Sequence, residues 1–292
     1  MQETLLTMVF AVCLAPVLLA QDLQGKISCH ASGNSKPQNQ NYAKKLWAGY
    51  EVSLGPSRNS QGGGDECTAA IYSNAGHVVF RTTGFNVVFD ETHTGQDFDS
   101  DGKPEVVFIT DTGGGNHCCW TYNIISLYPK PHKLLDIDAP GAVQFERDEQ
   151  GKMLVWQRLP GPYGFTSMAQ APFAEKVFRV RDAKLVDSTP EFCAQILSDK
   201  NEEYQSWNST LTPENIRKLP STEGIGAENE EVVSALLSRT LQHVFCRDFD
   251  AALGDLNLWP EATRAKMKSQ FAEAIKHDYP DFANFLSKRG KP

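Results

Sequence analysis

The sequence predicts an α+β protein in which an antiparallel all-β domain is followed by an α-helical domain. Short apolar stretches separated by turn residues run from residue 46 to about 187, and this spacing is typical of antiparallel strands. Beyond residue 188 the apolar residues follow the 3.6-residue spacing of amphipathic helices. The composition, 40% hydrophobic and 22% charged, is that of a globular chain. We therefore divide the chain into a signal peptide (1–20), a polar lead-in (21–45), the β domain (46–188) and the helical domain (189–292).

The first twenty residues have the composition of a secretory signal peptide. The stretch from Leu5 to Ala20 is apolar, ends on a small residue and is followed by polar Gln21. A helix buried in the core is the alternative. No later apolar run approaches the roughly 18–20 residues of a membrane span. We expect a secreted or periplasmic protein that has no transmembrane segment after signal cleavage, with a loosely ordered lead-in rich in Ser, Asn, Gln and Lys.

Stretches of strand composition fill the β domain. Residues 67–72 and 77–82 flank the four-residue turn Ser73-Asn74-Ala75-Gly76, which predicts a hairpin. A second hairpin is predicted around Asp148-Glu149-Gln150-Gly151, and no convincing helix interrupts the pattern. The remaining predicted strands, given by number, are 86–90, 105–110, 121–127, 143–146, 153–157, 176–180 and 184–186.

Helix signals dominate the C-terminal third. Residues 191–205 are rich in helix formers, and Thr212 followed by Pro213 is a typical helix start. The apolar residues between Val233 and Phe245 follow helical spacing, and so do those after Trp259-Pro260. We expect four or five short helices here.

The most specific motif is an acidic loop that precedes a predicted strand. Asp97, Asp99 and Asp101 alternate along the chain, so their carboxylates can surround one hard cation. Gly102 permits the sharp turn, and the carbonyl of Lys103 can supply a further oxygen. Calcium suits these ligands because it accepts about six to eight oxygens in irregular geometry, whereas magnesium demands a stricter octahedron.

The fourth acidic residue of this loop is Glu105, at its ninth position. An EF-hand would need a bidentate Glu at the twelfth position, which is Phe108 here, so the loop is not an EF-hand. The alternative to a metal site is an ordinary acidic surface turn before a strand.

This loop resembles the calcium loops of FG-GAP and VCBS repeats, which occur in integrin-alpha-like β-propellers and in secreted bacterial proteins. The family pattern is Asp-x-Asp-x-Asp-Gly-x-x-Asp followed by a hydrophobic strand, and Glu replaces the last Asp here. The resemblance implies calcium as the cofactor, with the side chains of Asp97, Asp99, Asp101 and Glu105 and the carbonyl of Lys103 as ligands. The wider pattern resembles exported bacterial proteins to which we attach no activity.

A closed propeller does not fit the length of the β domain. It needs four or more blades of about 40–50 residues, whereas about 140 residues hold two or three. The chain also contains a single loop of this kind. We therefore expect a propeller-blade-like open sheet or a small sandwich.

Six cysteines follow the signal peptide, an even number that suits disulfides in an exported chain. Free buried thiols are the alternative, and the sequence does not choose among the connectivities. Neighbouring side chains on a strand point to opposite faces, so Cys118 and Cys119 should take different partners rather than form a strained vicinal bond. Cys67 is our preferred partner for one of them. The candidates are Cys29, Cys67, Cys118, Cys119, Cys193 and Cys246.

Charge and motifs favour binding over catalysis. The net charge of −8 provides no basic field for nucleic acid. The loop from Gly113 to Cys119 places His117 beside a thiol, but immediate neighbours rarely face each other as a nucleophile and its base. We assign no catalytic residue. The sequence predicts a non-catalytic, calcium-stabilised binding protein of the cell envelope or extracellular space with a protein or glycan partner; the alternative is a secreted hydrolase with a site near the 113–119 loop.

Overall fold

The fold is α+β, with strands in the first part of the chain and helices in the C-terminal part, which confirms the predicted class. It is given by a computed structural model that describes residues 26–30, 42–58, 65–111, 120–140, 143–162, 164–220 and 229–289. The predicted signal peptide lies outside these ranges. The strands within them are β1 Lys26–His30, β2 Tyr42–Lys45, β3 Glu51–Arg58, β4 Asp65–Tyr72, β5 Val78–Gly84, β6 Asn86–Asp90, β7 Glu105–Asp111, β8 Trp120–Ser126, β9 His132–Ala139, β10 Val143–Arg147, β11 Met153–Pro160, β12 Phe173–Arg181 and β13 Lys184–Asp187.

The helices belong to the C-terminal part, apart from two short 3-10 turns at Trp47–Gly49 and Met168–Gln170. Among the described residues none of the helices is both long and apolar enough to cross a membrane. They are α1 Thr189–Ile196, α2 Glu202–Thr210, α3 Pro213–Ile216, α4 Glu230–Phe245, α5 Phe249–Leu256, α6 Glu261–Ile275 and α7 Pro280–Arg289.

The strands form three antiparallel sheets that pack face to face. The first sheet has the order β2-β3-β4-β5, the central sheet β1-β6-β7-β8-β9 and the third β10-β11-β12-β13. Strand β7 shows why the central sheet is buried on both faces, since successive side chains point to opposite sides. Val106 and Phe108 lie in the core shared with the first sheet. Val107 and Ile109 lie in the core shared with the third sheet.

The polar lead-in contains two strands, which its composition did not predict. Strand β1 pairs with β6 at the edge of the central sheet, and β2 pairs with β3. Cys29 on β1 is buried and bonded to Cys67 on β4, so a covalent bond links the first and central sheets. The position of β1 depends on its pairing with the distant strand β6 and on this disulfide. The local amino-acid composition predicts neither of these.

The helices cover the free edge of β12. Among the residues that the structure describes, the first half of β12 has no strand partner on that side, since β13 pairs only with Phe178–Arg181. The side-chain amide of Gln242 on α4 makes the hydrogen bonds that a neighbouring strand would make. Its Oε1 accepts from the backbone N–H of Glu175 at 2.8 Å, and its Nε2 donates to the Glu175 carbonyl at 3.0 Å. Covering an open edge removes a template for aggregation. The two parts of the chain are therefore joined by hydrogen bonds from a side chain to the backbone as well as by packing.

The predicted helix over 191–205 is two helices. Asn201 separates them, because its side-chain oxygen accepts from the backbone N–H of Tyr204 and caps α2. Thr212 caps α3 in the same way, as its position before Pro213 predicts. The core of the helical part forms around fully buried Trp259 and Phe271.

Candidate metal centre

The acidic loop connects β6 and β7, two strands of the central sheet. Its base is closed by two backbone bonds of 2.8 Å: the N–H of Gly95 donates to the Glu105 carbonyl, and the N–H of Glu105 donates to the Gln96 carbonyl. The hydroxyl of Thr94 accepts from the N–H of Val107 at 3.0 Å. The loop is therefore fixed to the start of β7, where the chain becomes fully buried.

The aspartates fold the loop around their own carboxylates. The N–H of Asp101 lies 3.1 Å from an oxygen of Asp97 and 3.1 Å from an oxygen of Asp99. The N–H of Gly102 donates to the second oxygen of Asp97 at 3.0 Å. Asp side chains commonly bond to backbone a few residues on, which accounts for the local turn. Ser100 and Gly102 have positive φ of 65° and 83°. Gly102 adopts this conformation at little steric cost because glycine has no Cβ.

Glu105 is the fully buried carboxylate of the loop. Its exposed fraction is 0%, and its Oε2 accepts from the backbone N–H of Phe98 at 2.7 Å. Phe98 is itself fully buried and packs edge-to-face on Phe145 with ring centroids 5.1 Å apart. The other oxygen of Glu105, Oε1, has no hydrogen-bond partner among the residues that the structure describes.

The loop concentrates negative charge that it does not itself neutralise. Burial, together with the negative charges of Asp99, Asp97 and Asp101, raises the pKa of Glu105 from 4.5 to about 8, against the opposing effect of the Phe98 N–H. Burial also raises the pKa of Asp99, and the charges of Asp101 and Asp97 add to this. Both carboxyls are therefore harder to ionise in the metal-free loop than in water.

Three of the four predicted carboxylates come together. Asp97, Asp99 and Glu105 each offer an oxygen, and these oxygens all lie within 4.8 Å of one another. Asp101 does not belong to this group, and its Oδ1 accepts from the N–H of Lys103 at 2.7 Å instead. The Nζ of Lys103 lies 5.7 Å from the centre of the Tyr128 ring. The atom of Lys103 that could bind a metal is its backbone carbonyl oxygen.

The donor set fits a hard cation. All three clustered groups are carboxylates, which are preferred calcium ligands. The unpartnered Oε1 of Glu105 is the deciding observation, because a buried polar atom without a partner costs about 1–3 kcal/mol and more when it is charged. A cation would supply the missing partner and favour the ionised form of the carboxyl.

Two supporting contacts come from residues that the sequence did not single out. Arg147 of β10 donates from Nη2 to the Asp97 carbonyl at 2.9 Å and from Nη1 to the Gly151 carbonyl at 2.7 Å, which ties the loop to the third sheet. Fully buried Asp90 at the end of β6 contacts the ring of His93 with an O–N distance of 2.7 Å. The Arg147 contact joins residues 50 positions apart and depends on how the sheets pack, whereas the Asp90–His93 contact is local to the loop.

The cysteines pair differently from the expectation. The structure contains the bonds Cys29–Cys67 and Cys193–Cys246, so at least two disulfides form as predicted. The expected bond between Cys67 and either Cys118 or Cys119 is wrong, because the pairing of β1 with β6 brings Cys29 to Cys67. Cys118 and Cys119 lie outside the described residues.

No protein-family model, no curated protein and no solved structure matches the chain. The resemblance of the acidic loop to FG-GAP and VCBS repeats therefore stays a prediction. The loop from Gly113 to Cys119, on which the hydrolase alternative depends, falls outside the part of the chain that the structure describes.

Proposed function

We propose that this chain is an exported binding protein whose β domain is stabilised by a bound calcium ion. The observation that carries the proposal is the buried, unpartnered Oε1 of Glu105 beside the carboxylates of Asp97 and Asp99. An ordinary acidic surface turn would leave its carboxylates in water, whereas Glu105 has no exposed surface. A cation is the partner that such a group requires.

The three clustered side chains, Asp97, Asp99 and Glu105, would hold the ion. The Lys103 carbonyl and the Asp101 carboxylate are the further ligands that the motif implies. Calcium would neutralise much of the loop charge and connect the loop to the first residue of β7. Its role is structural in this account, because it fixes a segment on which the central sheet depends.

The disulfides support export. Two such bonds are compatible with an oxidising compartment and rare in a reducing one. The predicted signal peptide, which the composition of the first twenty residues suggests, agrees with the same location. Secretion or the periplasm would also provide the millimolar calcium that weak extracellular sites need.

Thermal unfolding with and without calcium tests the proposal. Extracellular calcium sites have dissociation constants of about 10⁻⁴–10⁻³ M, so 1 mM calcium should stabilise by about 0.4–1.4 kcal/mol. For a chain of this size that raises the melting temperature by about 1–6 °C. Asp99→Asn should abolish the increase, whereas Asp136→Asn, at an exposed position of β9, should retain it. An unchanged transition after chelation, or full replacement by magnesium, would contradict the calcium assignment.

A further inference from the structure

A groove of about 580 Å³ lies in the helical part of the chain. Its lining comes from α6 and α7, with Leu253 of α5 and Lys276 at the end of α6. The volume falls within the range of about 300–1,000 Å³ that is usual for small-ligand sites, and spaces between packed helices are common places for them. No residue of the acidic loop lines the groove, so the two sites are separate.

The groove is elongated because it follows two neighbouring helices. On α6 the lining residues recur at positions three and four apart from Glu261 to Lys276, a spacing that places them on one face of the helix. At 1.5 Å per residue this face extends for about 22 Å. On α7 the lining residues Ala283, Leu286 and Ser287 have the same spacing. An extended ligand matches this shape better than a compact one.

The apolar part of the lining belongs to the core of the helical part. Leu286 is buried, and Leu253 and Ala272 pack against the same core cluster. A ligand that covers these side chains removes apolar surface from water, and each methylene group that is fully buried strengthens binding by up to about fourfold. The apolar lining residues are Leu253, Ala265, Ala272, Ala283 and Leu286.

The charged part of the lining is mainly cationic, although the whole chain has a net charge of −8. Four of the lining side chains are basic and two are acidic. Lys276 is paired with Glu273, and Arg289 is paired with Asp250 at 2.6 Å. The charges that remain are those of Arg264 and Lys268 against the single acid Glu261, which lies in the first turn of α6.

Arg264 and Lys268 are held by neutral partners. The Nε of Arg264 donates to the Trp259 carbonyl at 3.0 Å, and the Nζ of Lys268 donates to the Oδ1 of Asn257 at 2.5 Å. Neither forms an ion pair within the part of the chain that the structure describes. Burial and the charge of Arg264 lower the pKa of Lys268. Since these two residues are four positions apart, both can donate to one anionic group.

We propose that this groove binds a free fatty acid, with the carboxylate at Arg264 and Lys268 and the acyl chain along the apolar lining residues. A carboxylate complements the two cations that have no acidic partner, and a single acyl chain matches an elongated apolar groove. A cationic amphiphile would be repelled, and a neutral apolar compound would leave both cations unpaired. This inference goes beyond the proposed function and does not depend on the calcium site.

Isothermal titration calorimetry of the whole protein with dodecanoate tests this. The titration is done below the concentration of micelle formation and in chelator, which prevents insoluble calcium salts of the fatty acid. Acetate and dodecyltrimethylammonium are the comparison probes, because the first lacks the chain and the second reverses the charge. We expect saturable binding of one dodecanoate per chain and no measurable binding of either comparison probe.

Three variants locate the site. Lys268→Gln should weaken dodecanoate binding about tenfold, because a hydrogen bond between charged groups is lost. Lys288→Gln, at an exposed position of α7 outside the groove lining, should leave it unchanged. Ala265→Trp should abolish binding, since Ala265 is an exposed lining residue and the indole ring would occupy the groove without disturbing the core.

Each contrary result overturns a defined part of the inference. Absence of dodecanoate binding overturns it altogether and leaves the calcium proposal untouched. Equal binding of dodecyltrimethylammonium contradicts the role of the cations, and equal binding of acetate contradicts the role of the apolar lining. Binding that Lys268→Gln and Ala265→Trp leave unchanged places the fatty acid elsewhere. Cosedimentation with phosphatidylglycerol vesicles, abolished by Lys268→Gln and without dodecanoate binding, would assign this face to a membrane surface instead.

Discussion

Replacing Glu105 by Gln should make the metal-free protein more stable and insensitive to calcium. Gln has nearly the same shape as Glu, its oxygen can keep the bond from the Phe98 N–H, and its amide can donate to the neighbouring aspartates. The substitution replaces a carboxyl that the buried position holds in its protonated form when no cation is bound. The loss of this one ligand should therefore raise the stability of the metal-free protein and abolish its response to calcium.

The size of the effect follows from the pKa of Glu105. Its folded pKa of about 8 lies above the ordinary value of 4.5, so the metal-free folded state is protonated at pH 7 while the unfolded chain is ionised. A group of this kind contributes its stability below the unfolded pKa and loses it as pH rises through the folded pKa. At pH 7 the loss amounts to about 3 kcal/mol, or about 6–12 °C in melting temperature, which Glu105→Gln would recover.

Calorimetric melting between pH 5 and pH 8, in chelator and in 1 mM calcium, measures this. We expect the wild type in chelator to lose stability as pH rises across this window, and the variant to lose less. Calcium should stabilise the wild type only. Glu146→Gln, at an exposed position of β10, is the matched control and should change stability by less than about 0.5 kcal/mol. If Glu105→Gln is the less stable protein in chelator, or gains the same calcium shift as the wild type, the reasoning is refuted.

Three further predictions concern the fold. Replacing Cys29 and Cys67 together by Ser should cost about 4 kcal/mol in chemical denaturation, because the bond closes a separation of 38 residues; an unchanged midpoint would show that the bond is dispensable. Phe108→Ala should cost about 3–5 kcal/mol, since the ring is fully buried between two sheets, and a loss below 1 kcal/mol would contradict that packing. Burial lowers the pKa of His243, so the protein should lose stability as pH falls below about 6.5, and His243→Gln should flatten that pH dependence.

The sequence predicts β6, β7 and β8 of the central sheet well because their signals are local. The predicted strand 86–90 agrees with β6, and the turn at Ser73 closes as expected, with the N–H of Gly76 donating to the Ser73 carbonyl at 2.8 Å. Strands β1, β2, β3 and β9 were not among the predicted strands, and neither β1 nor β2 is apolar along its length. Strand β1 is ordered by pairing with β6, far away along the chain, and by the Cys29–Cys67 bond, whereas β2 pairs with β3, the next strand along the chain.

The candidate site was predicted in part for a similar reason. The alternate spacing of the loop residues is a local signal, and it led to Asp97, Asp99 and Glu105. Asp101 lies outside the cluster, and its carboxylate accepts from the N–H of Lys103; the spacing of the loop residues does not indicate this. The burial of Glu105 depends on its neighbour Phe98, which packs on Phe145 of the third sheet. Such features arise from tertiary packing.

The central claim is that Asp97, Asp99 and Glu105 hold a calcium ion, and a calcium titration followed on the amide signals of Asp101 and Gly102 tests it most directly. Both N–H groups donate to the carboxylates of the cluster, so an ion that draws those oxygens inward must shift their signals. The account predicts saturable shifts with a dissociation constant of about 10⁻⁴–10⁻³ M for the wild type, and none for Glu105→Gln. Signals that do not move, or that move equally in the variant, would contradict it.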